Sequence, residues 1–274
     1  MRKIIVCLFT LLSIVTISAQ NNTTGISDDP VVNYKTSVLL IPFESKMYIS
    51  DIDRNLALDQ QMNFQEIKAK FRANLDREIF LALKKYYNPF SFYSMPQKEA
   101  RAELGYIYNS IGYKYEVVPK EVIVKKENVG TKLLGKFKKK KKEGEYIDAG
   151  VQGGQVVSQV DNREKYMKTT LVNAKLLPSL NAKFNASHYI FINQLDIKSG
   201  ADMRYVASAE GYKREIKVHY TIFDNSGTEV SSGAIKSRFS SNENDINKII
   251  KVQFPLIAER IVKNLVGPDA VEVE

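Results

Sequence analysis

Arg214–Phe223 reads REIKVHYTIF, and after Asp224-Asn225-Ser226-Gly227 the chain continues through Thr228–Phe239 as TEVSSGAIKSRF. In the first run Ile216, Val218, Tyr220 and Ile222 alternate with Lys217, His219 and Thr221. Side chains of a strand point to opposite faces at successive residues, so this period predicts a half-buried strand. Asp, Asn and Gly tolerate the backbone of a tight reversal, which makes Asp224–Gly227 a turn and Thr228–Phe239 the returning strand. Gly233 is the expected site of a bulge in that second strand. Beyond it Asn244 or Asp245 can cap a helix, in which Ile246, Ile249, Ile250, Phe254, Ile257, Ile261 and Leu265 recur at three- and four-residue steps until Gly267-Pro268. A helix with such a stripe has to bury it, and the neighbouring sheet face is the available place.

Working outward from this hairpin and helix, the same two periods recur. Thr36–Phe43 (TSVLLIPF) is a continuous apolar run, the pattern of a central strand buried on both faces. Gln61–Tyr86 carries Phe64, Ile67, Phe71, Leu75, Ile79, Leu83 and Tyr86 on one helical face, and Glu44–Gln60 before it reads as a connection. A helix over Gln97–Ile111, strands over Tyr113–Lys126 and Met203–Ala209, a short helix over Pro178–Ser187 and a strand over His188–Lys198 complete the pattern. The fold class is therefore α/β (α+β), a mixed β-sheet packed by amphipathic helices within one domain over 36–266. Residues 127–164, with the lysine-rich KLLGKFKKKKK (Lys132–Lys142) and Gly150, Gly153 and Gly154, read as an inserted basic loop or hairpin.

The chain has 274 residues, of which 44% are hydrophobic, enough for a sizeable core. Its start has the order of a secretory signal peptide over 1–20: Arg2 and Lys3, an apolar run Ile4–Ile17, then Ser18-Ala19-Gln20. That run is shorter than the roughly 20 residues of a membrane span. Residues 21–35 form a polar leader, and 267–274 an acidic tail. The single cysteine, Cys7, sits inside the apolar run and not at its end, so it is a poor lipidation site and the mature chain has no disulfide. Cleavage leaves 38 basic against 31 acidic residues, a net charge of +7. Outside the cell such a surface meets anionic lipids, lipopolysaccharide, wall polymers or acidic partner proteins, and no nucleic-acid partner is expected.

Chemistry-bearing patterns are sparse. Two histidines, His188 and His219, both lie in strands without a nucleophile elbow, and they read as structural or surface groups. Asp51 and Asp53 open like a calcium loop, but Leu56 and Met62 occupy the positions that need Gly and Glu, so they read as turn or helix caps. The glycines at 150, 153 and 154 lack the Lys-Ser/Thr of a phosphate loop. No catalytic residue, metal ligand or cofactor site is assigned. The candidate binding residues are Lys136, Lys138, Lys139, Lys140, Lys141 and Lys142, which with Leu133, Leu134 and Phe137 suit peripheral contact with an anionic membrane or lipopolysaccharide.

The order of VLLIPF (Val38–Phe43), a long helix, a short helix into HYIFINQLDI, VHYTIFD with its Gly227 turn and a closing helix resembles the α/β domain shared by TolB amino-terminal domains, CsgG and LpoB-type envelope proteins. PFESKMYISDID (Pro42–Asp53) and the ISAQ signal end also resemble uncharacterised exported proteins of Bacteroidetes-type bacteria. The first resemblance covers about 36–86 and 178–266. It implies a non-enzymatic, exported accessory protein of the periplasm or outer-membrane periphery that binds an envelope partner. The alternatives are a polysaccharide hydrolase using converging carboxylates and a protein that binds anionic lipid or lipopolysaccharide.

Overall fold

The computed structural model describes residues 36–118, 163–200 and 213–266, with the backbone of short strands between 146 and 161. In chain order the elements are β1 (Ser37–Ile41), β2 (Tyr48–Ser50), α1 (Asp53–Gln60), α2 (Phe64–Leu83), β3 (Asn88–Ser91), α3 (Gln97–Asn109) and β4 (Ile111–Val117). There follow β5 (Tyr146–Ile147), β6 (Gly150–Gln152), β7 (Gln155–Val157), β8 (Val160–Asp161) and β9 (Lys165–Leu171). The chain then forms α4 (Leu176–Phe184), β10 (His188–Lys198), β11 (Lys213–Asp224), β12 (Glu229–Ser240) and α5 (Ile246–Val266). The expected signal peptide and leader, Lys136–Lys142, the strand at 203–209 and the acidic tail lie outside the described residues.

The sheet has the order β12-β11-β10-β1-β3, with β1 parallel to both β10 and β3 and the β10–β11–β12 pairs antiparallel. It is a mixed α/β architecture. β2 runs parallel to the second half of β10, on the same side as β1. Val38 pairs with His188 but Tyr48 with Leu195, so β1 and β2 are two halves of one interrupted strand. Backbone groups that leave a ladder must find other partners. Here the Tyr108 hydroxyl donates to the Pro42 carbonyl at 2.7 Å and Arg72 Nε donates to the Phe43 carbonyl at 2.6 Å. The segment read as a plain connection thus contains a strand and a helix. It is anchored by Ile52 and Leu56, both fully buried.

One sheet face is covered by α1, α2 and α5. Val38, Leu40, Ile190, Ile192, Ile216, Val218 and Ile222 pack there against Ile67, Phe71, Leu75, Ile79, Phe254, Ile257 and Ile261. α2 starts at a capping box, in which the Asn63 side chain accepts from the Glu66 amide at 2.9 Å and the Glu66 carboxylate accepts from the Asn63 amide at 2.8 Å. The cap sets the start at Phe64, three residues later than the periodicity alone suggests, and leaves Phe64 exposed; Tyr86, past the end of α2 at Leu83, is exposed too. Asp245 Oδ1 accepts from the amides of Asn247 and Lys248 and caps α5, as expected from its type and place. At the hairpin turn Asp224 Oδ1 accepts from the Ser226 and Thr228 amides, and Gly227 takes φ 85°, a value costly for a side chain with a Cβ.

The other face carries α3, α4 and the antiparallel hairpin β4–β9. Leu39, Ile41, Tyr189, Phe191 and Phe223 pack against Ala100, Ile107, Leu176, Leu177 and Leu180. Two expectations change here. β11 is buried on both faces, with His219 and Thr221 essentially inaccessible, because the β4–β9 hairpin roofs the polar side that the alternation assigned to solvent. Gly233 pairs regularly with Tyr220, whose ring lies 3.7 Å from where a Cβ would stand, and the bulge falls instead between Glu229 and Ser231.

Candidate functional site: a charged cleft where the hairpin meets the sheet

A two-stranded hairpin has a second edge on each strand, and a buried edge needs donors and acceptors. β9 meets this need with side chains of the sheet below it. Lys217 Nζ donates to the Lys165 carbonyl at 2.5 Å, His219 Nδ1 accepts from the Met167 amide at 2.8 Å, and Thr221 Oγ1 accepts from the Thr169 amide at 3.0 Å. Each pair is offset by the same 52 residues, so β9 runs along β11 with alternate side chains of β11 serving as its missing neighbour. Asn193 completes the layer. Its Nδ2 donates to the Met167 carbonyl at 2.8 Å, and its Oδ1 accepts from Thr169 Oγ1 at 2.6 Å.

Asn193 reaches this position through a bulge in β10, where the register with β11 shifts between Ile192 and Gln194. One extra residue places both Asn193 and Gln194 on the hairpin side and then restores the alternation. The shift was written in HYIFINQLDIK, whose apolar phase moves from Ile190 and Ile192 to Leu195 and Ile197. The unbroken strand predicted over 188–198 did not use that signal.

At the end of this layer Tyr115, Glu164, Asp196, Glu215, Lys217 and Lys236 line a cleft of about 500 Å³, with His219 at its floor. Because the Met167 amide donates to Nδ1, the proton of His219 sits on Nε2, 3.1 Å from Asp196 Oδ2. Burial pushes the His219 pKa below its usual value against the pull of Asp196, so the ring is neutral with both nitrogens engaged. Burial opposes the charge on Asp196, but hydrogen bonds from His219 and Gln194 outweigh it and hold the carboxyl below the usual carboxylate range. Gln194 in turn accepts from the Tyr115 hydroxyl at 2.9 Å. Burial likewise opposes the charge on Glu164, and the Lys236 ammonium, 2.5 Å away, prevails and lowers its pKa. Lys217, 3.5 Å from Glu164, is pushed down by burial, and Lys236 also stands 3.4 Å from Glu215.

The cleft therefore holds ionised acids already matched to bases. A glycosidase pair needs one carboxyl kept protonated near neutral pH. Burial does push one described carboxyl upward, that of Asp76, to about 7. It lies on α2, on the opposite sheet face, 3% exposed and bonded to Ser91, out of reach of a substrate in the cleft. Asp196 and Glu164, by contrast, are arranged to stay charged.

The residues singled out from the sequence fall in different places. His219 is the structural centre of the layer, whereas His188 is half-buried at the start of β10, with Ser187 Oγ 2.9 Å from its Nδ1. Asp53 begins α1 and accepts from the Tyr48 hydroxyl at 2.6 Å, while Asp51 accepts from the Ser199 amide at 3.4 Å. Among the described residues no group of three acids, histidines or cysteines is placed to hold a metal, and no helix is long and apolar enough to cross a membrane. β6 and β7 pair with Gln152 opposite Gln155, and Gly153 and Gly154 lie outside the described residues. Lys217, Asp196, Asn193 and Thr169 were missed because their roles arise from strands far apart in sequence.

Compared with known proteins, the chain matches no family model, no curated protein and no solved structure.

Proposed function

We propose that this chain is an exported, non-enzymatic accessory protein of the cell envelope, whose α/β domain is of the TolB amino-terminal, CsgG and LpoB kind and binds a periplasmic or outer-membrane partner. The observation that carries this reading is the side-chain ladder fixing β9 to β11. It makes the β4–β9 hairpin a firm base for residues 119–162, the segment that bears Lys136 and Lys138–Lys142. A rigid base presenting a cationic segment suits electrostatic attachment to an acidic partner or an anionic membrane surface. At the cleft rim, Tyr115 and Ile49 are each about half exposed beside matched charges, the mixture of aromatic, apolar and polar groups found at protein interfaces. The cleft acids support binding over catalysis because their partners hold them ionised.

The test is in-cell crosslinking of the tagged chain, with Tyr115→Glu and a variant carrying glutamine at Lys138–Lys142 as comparisons. One dominant envelope protein, captured by the parent and weakened in both variants, is the expected result. Capture that is the same in all three chains, or none at all, would refute the reading.

A further inference from the structure

The hairpin hides its own edge, but among the described residues no strand pairs with the outer edge of β12. The Ile197 carbonyl accepts from the Asp51 amide, so Ile197 faces β2 and its neighbour Asp196 faces β11. In antiparallel pairs, directly opposed residues turn their backbone groups the same way, toward each other or apart. Lys217, opposite Asp196, therefore faces β10, and Lys236, opposite Lys217, faces away from the sheet. By alternation so do Ser232, Ala234 and Arg238. The Lys236 carbonyl accepts from Arg260 at 3.1 Å, and among the described residues no backbone group pairs with the four outward amides. The opposite edge strand, β3, is only four residues long and contains Pro89, the usual protections of a sheet edge.

Beside the open edge runs α5. Val252, Leu256 and Arg260 are spaced by four and share one stripe of that helix, and Arg260 shows that the stripe leans over β12. Val252 and Leu256 are about half exposed. On this side of the sheet the edge offers apolar surface. On the other side Lys236 and Arg238 stand beside Glu164 and Glu215 in a cleft where bases, with Lys165, Lys198 and Lys217, outnumber acids, and on the first side α5 carries Lys248, Lys251, Arg260 and Lys263 against Glu259. An extended segment that alternates apolar and acidic residues satisfies both sides at once. The chain contains one in Asp269-Ala270-Val271-Glu272-Val273-Glu274.

We propose that the β12 edge and the Val252–Leu256 stripe of α5 receive residues 269–274 of a second copy of this chain as an added strand. Val271 and Val273 face α5, and Glu272 and Glu274 face Lys236 and Arg238. The tail of the same molecule is disfavoured by handedness. α2 and α5 lie on one sheet face, and the β1–α2–β3 crossover moves away from β12. Asn264 donates to the Tyr220 hydroxyl, so α5 ends near the level of Gly233, and its own tail would reach Lys236 and Arg238 only by running parallel to β12. That crossover moves in the opposite direction over the same face and has the opposite hand. Parallel crossovers are right-handed in about 98% of cases.

The test compares the secreted chain with one ending at Pro268, by sedimentation velocity over a range of concentrations and by binding of a labelled peptide of residues 267–274. The full chain is expected to self-associate and the shortened chain to be monomeric and to bind the peptide, more weakly as salt rises. Ala234→Pro, which removes an outward amide while leaving the β11 ladder intact, and Leu256→Glu, at an exposed site, should each weaken peptide binding about tenfold or more. Thermal melts confirm that both variants fold. Equal self-association without the tail, a monomeric full chain, or peptide binding indifferent to both substitutions would each overturn the proposal. It stands independently of the partner proposed above.

Discussion

Replacing His219 by phenylalanine keeps the ring's bulk but removes both of its hydrogen bonds. The Met167 amide then faces a hydrocarbon edge in a buried layer, and an unsatisfied buried donor costs about 1–3 kcal/mol. Asp196 loses the Nε2–H donor that helps hold it ionised, and a hydrogen bond to a charged group is worth about 1.5–3 kcal/mol. The sum is about 2.5–6 kcal/mol. It is a large fraction of the roughly 5–15 kcal/mol by which a domain is stable. Glutamine at the same position can accept from the amide through Oε1 and donate to Asp196 through Nε2, so its cost should stay near about 1 kcal/mol. Urea unfolding of residues 21–274 at pH 7.5 measures both, with an unchanged denaturant slope as the sign that only stability has moved. A phenylalanine variant that loses less than about 1 kcal/mol, or one that matches the glutamine variant, would refute the ladder as the hairpin's attachment.

The same residue sets a pH dependence. With its folded pKa below the unfolded value, neutral His219 stabilises the fold above about pH 6.5 and that contribution is lost as pH falls toward the folded pKa. The charged groups acting on the ring are Asp196 from β10 (which also accepts from Gln194), Lys217 from β11 and Glu164 just before β9, and Asp196 adds a further loss below about pH 4. His219→Gln should therefore flatten the fall that begins below about pH 6.5 while leaving the steeper loss below about pH 4.

Asp76 has the opposite sign. Its folded pKa of about 7 lies above the unfolded value, so its contribution is present at acid pH and lost as pH rises through about 7. Asp76→Asn should be more favourable at pH 8 than at pH 5 by about 2–3 kcal/mol relative to the parent, read from unfolding curves at the two pH values; no difference would mean the carboxyl is already ionised in the fold. Arg72→Ala removes the donor to the Phe43 carbonyl, the bond to Tyr108 and the stacking on Phe43 and Tyr93, and is expected to cost about 2–4 kcal/mol in the same assay. Arg72→Lys should recover little of it, since an ammonium cannot serve these partners from one plane.

Local pattern and tertiary placement divide the molecule along a clear line. The sequence by itself determined most of the elements: β1 from its unbroken apolar run, the β11–β12 hairpin from alternation and Asp224–Gly227, and α2, α3, α4 and α5 from stripes and caps. Those signals are local, because a period of two or of 3.6 and a capping side chain act within a few residues. β2, α1, β3 and β9 escaped notice: Tyr48–Ser50 takes its ladder from β10, nearly 150 residues away, α1 has a single fully buried side chain, Leu56, β3 is four residues long with Pro89 in it, and β9 pairs with β4 from about 50–60 residues away. The charged layer was decided only by the tertiary structure. Lys217, His219 and Thr221 alternate as a solvent face would, and nothing local distinguishes a side chain bonded to water from one bonded to β9. What settled their role was the hairpin laid over them, whose backbone groups had to be satisfied once they left water.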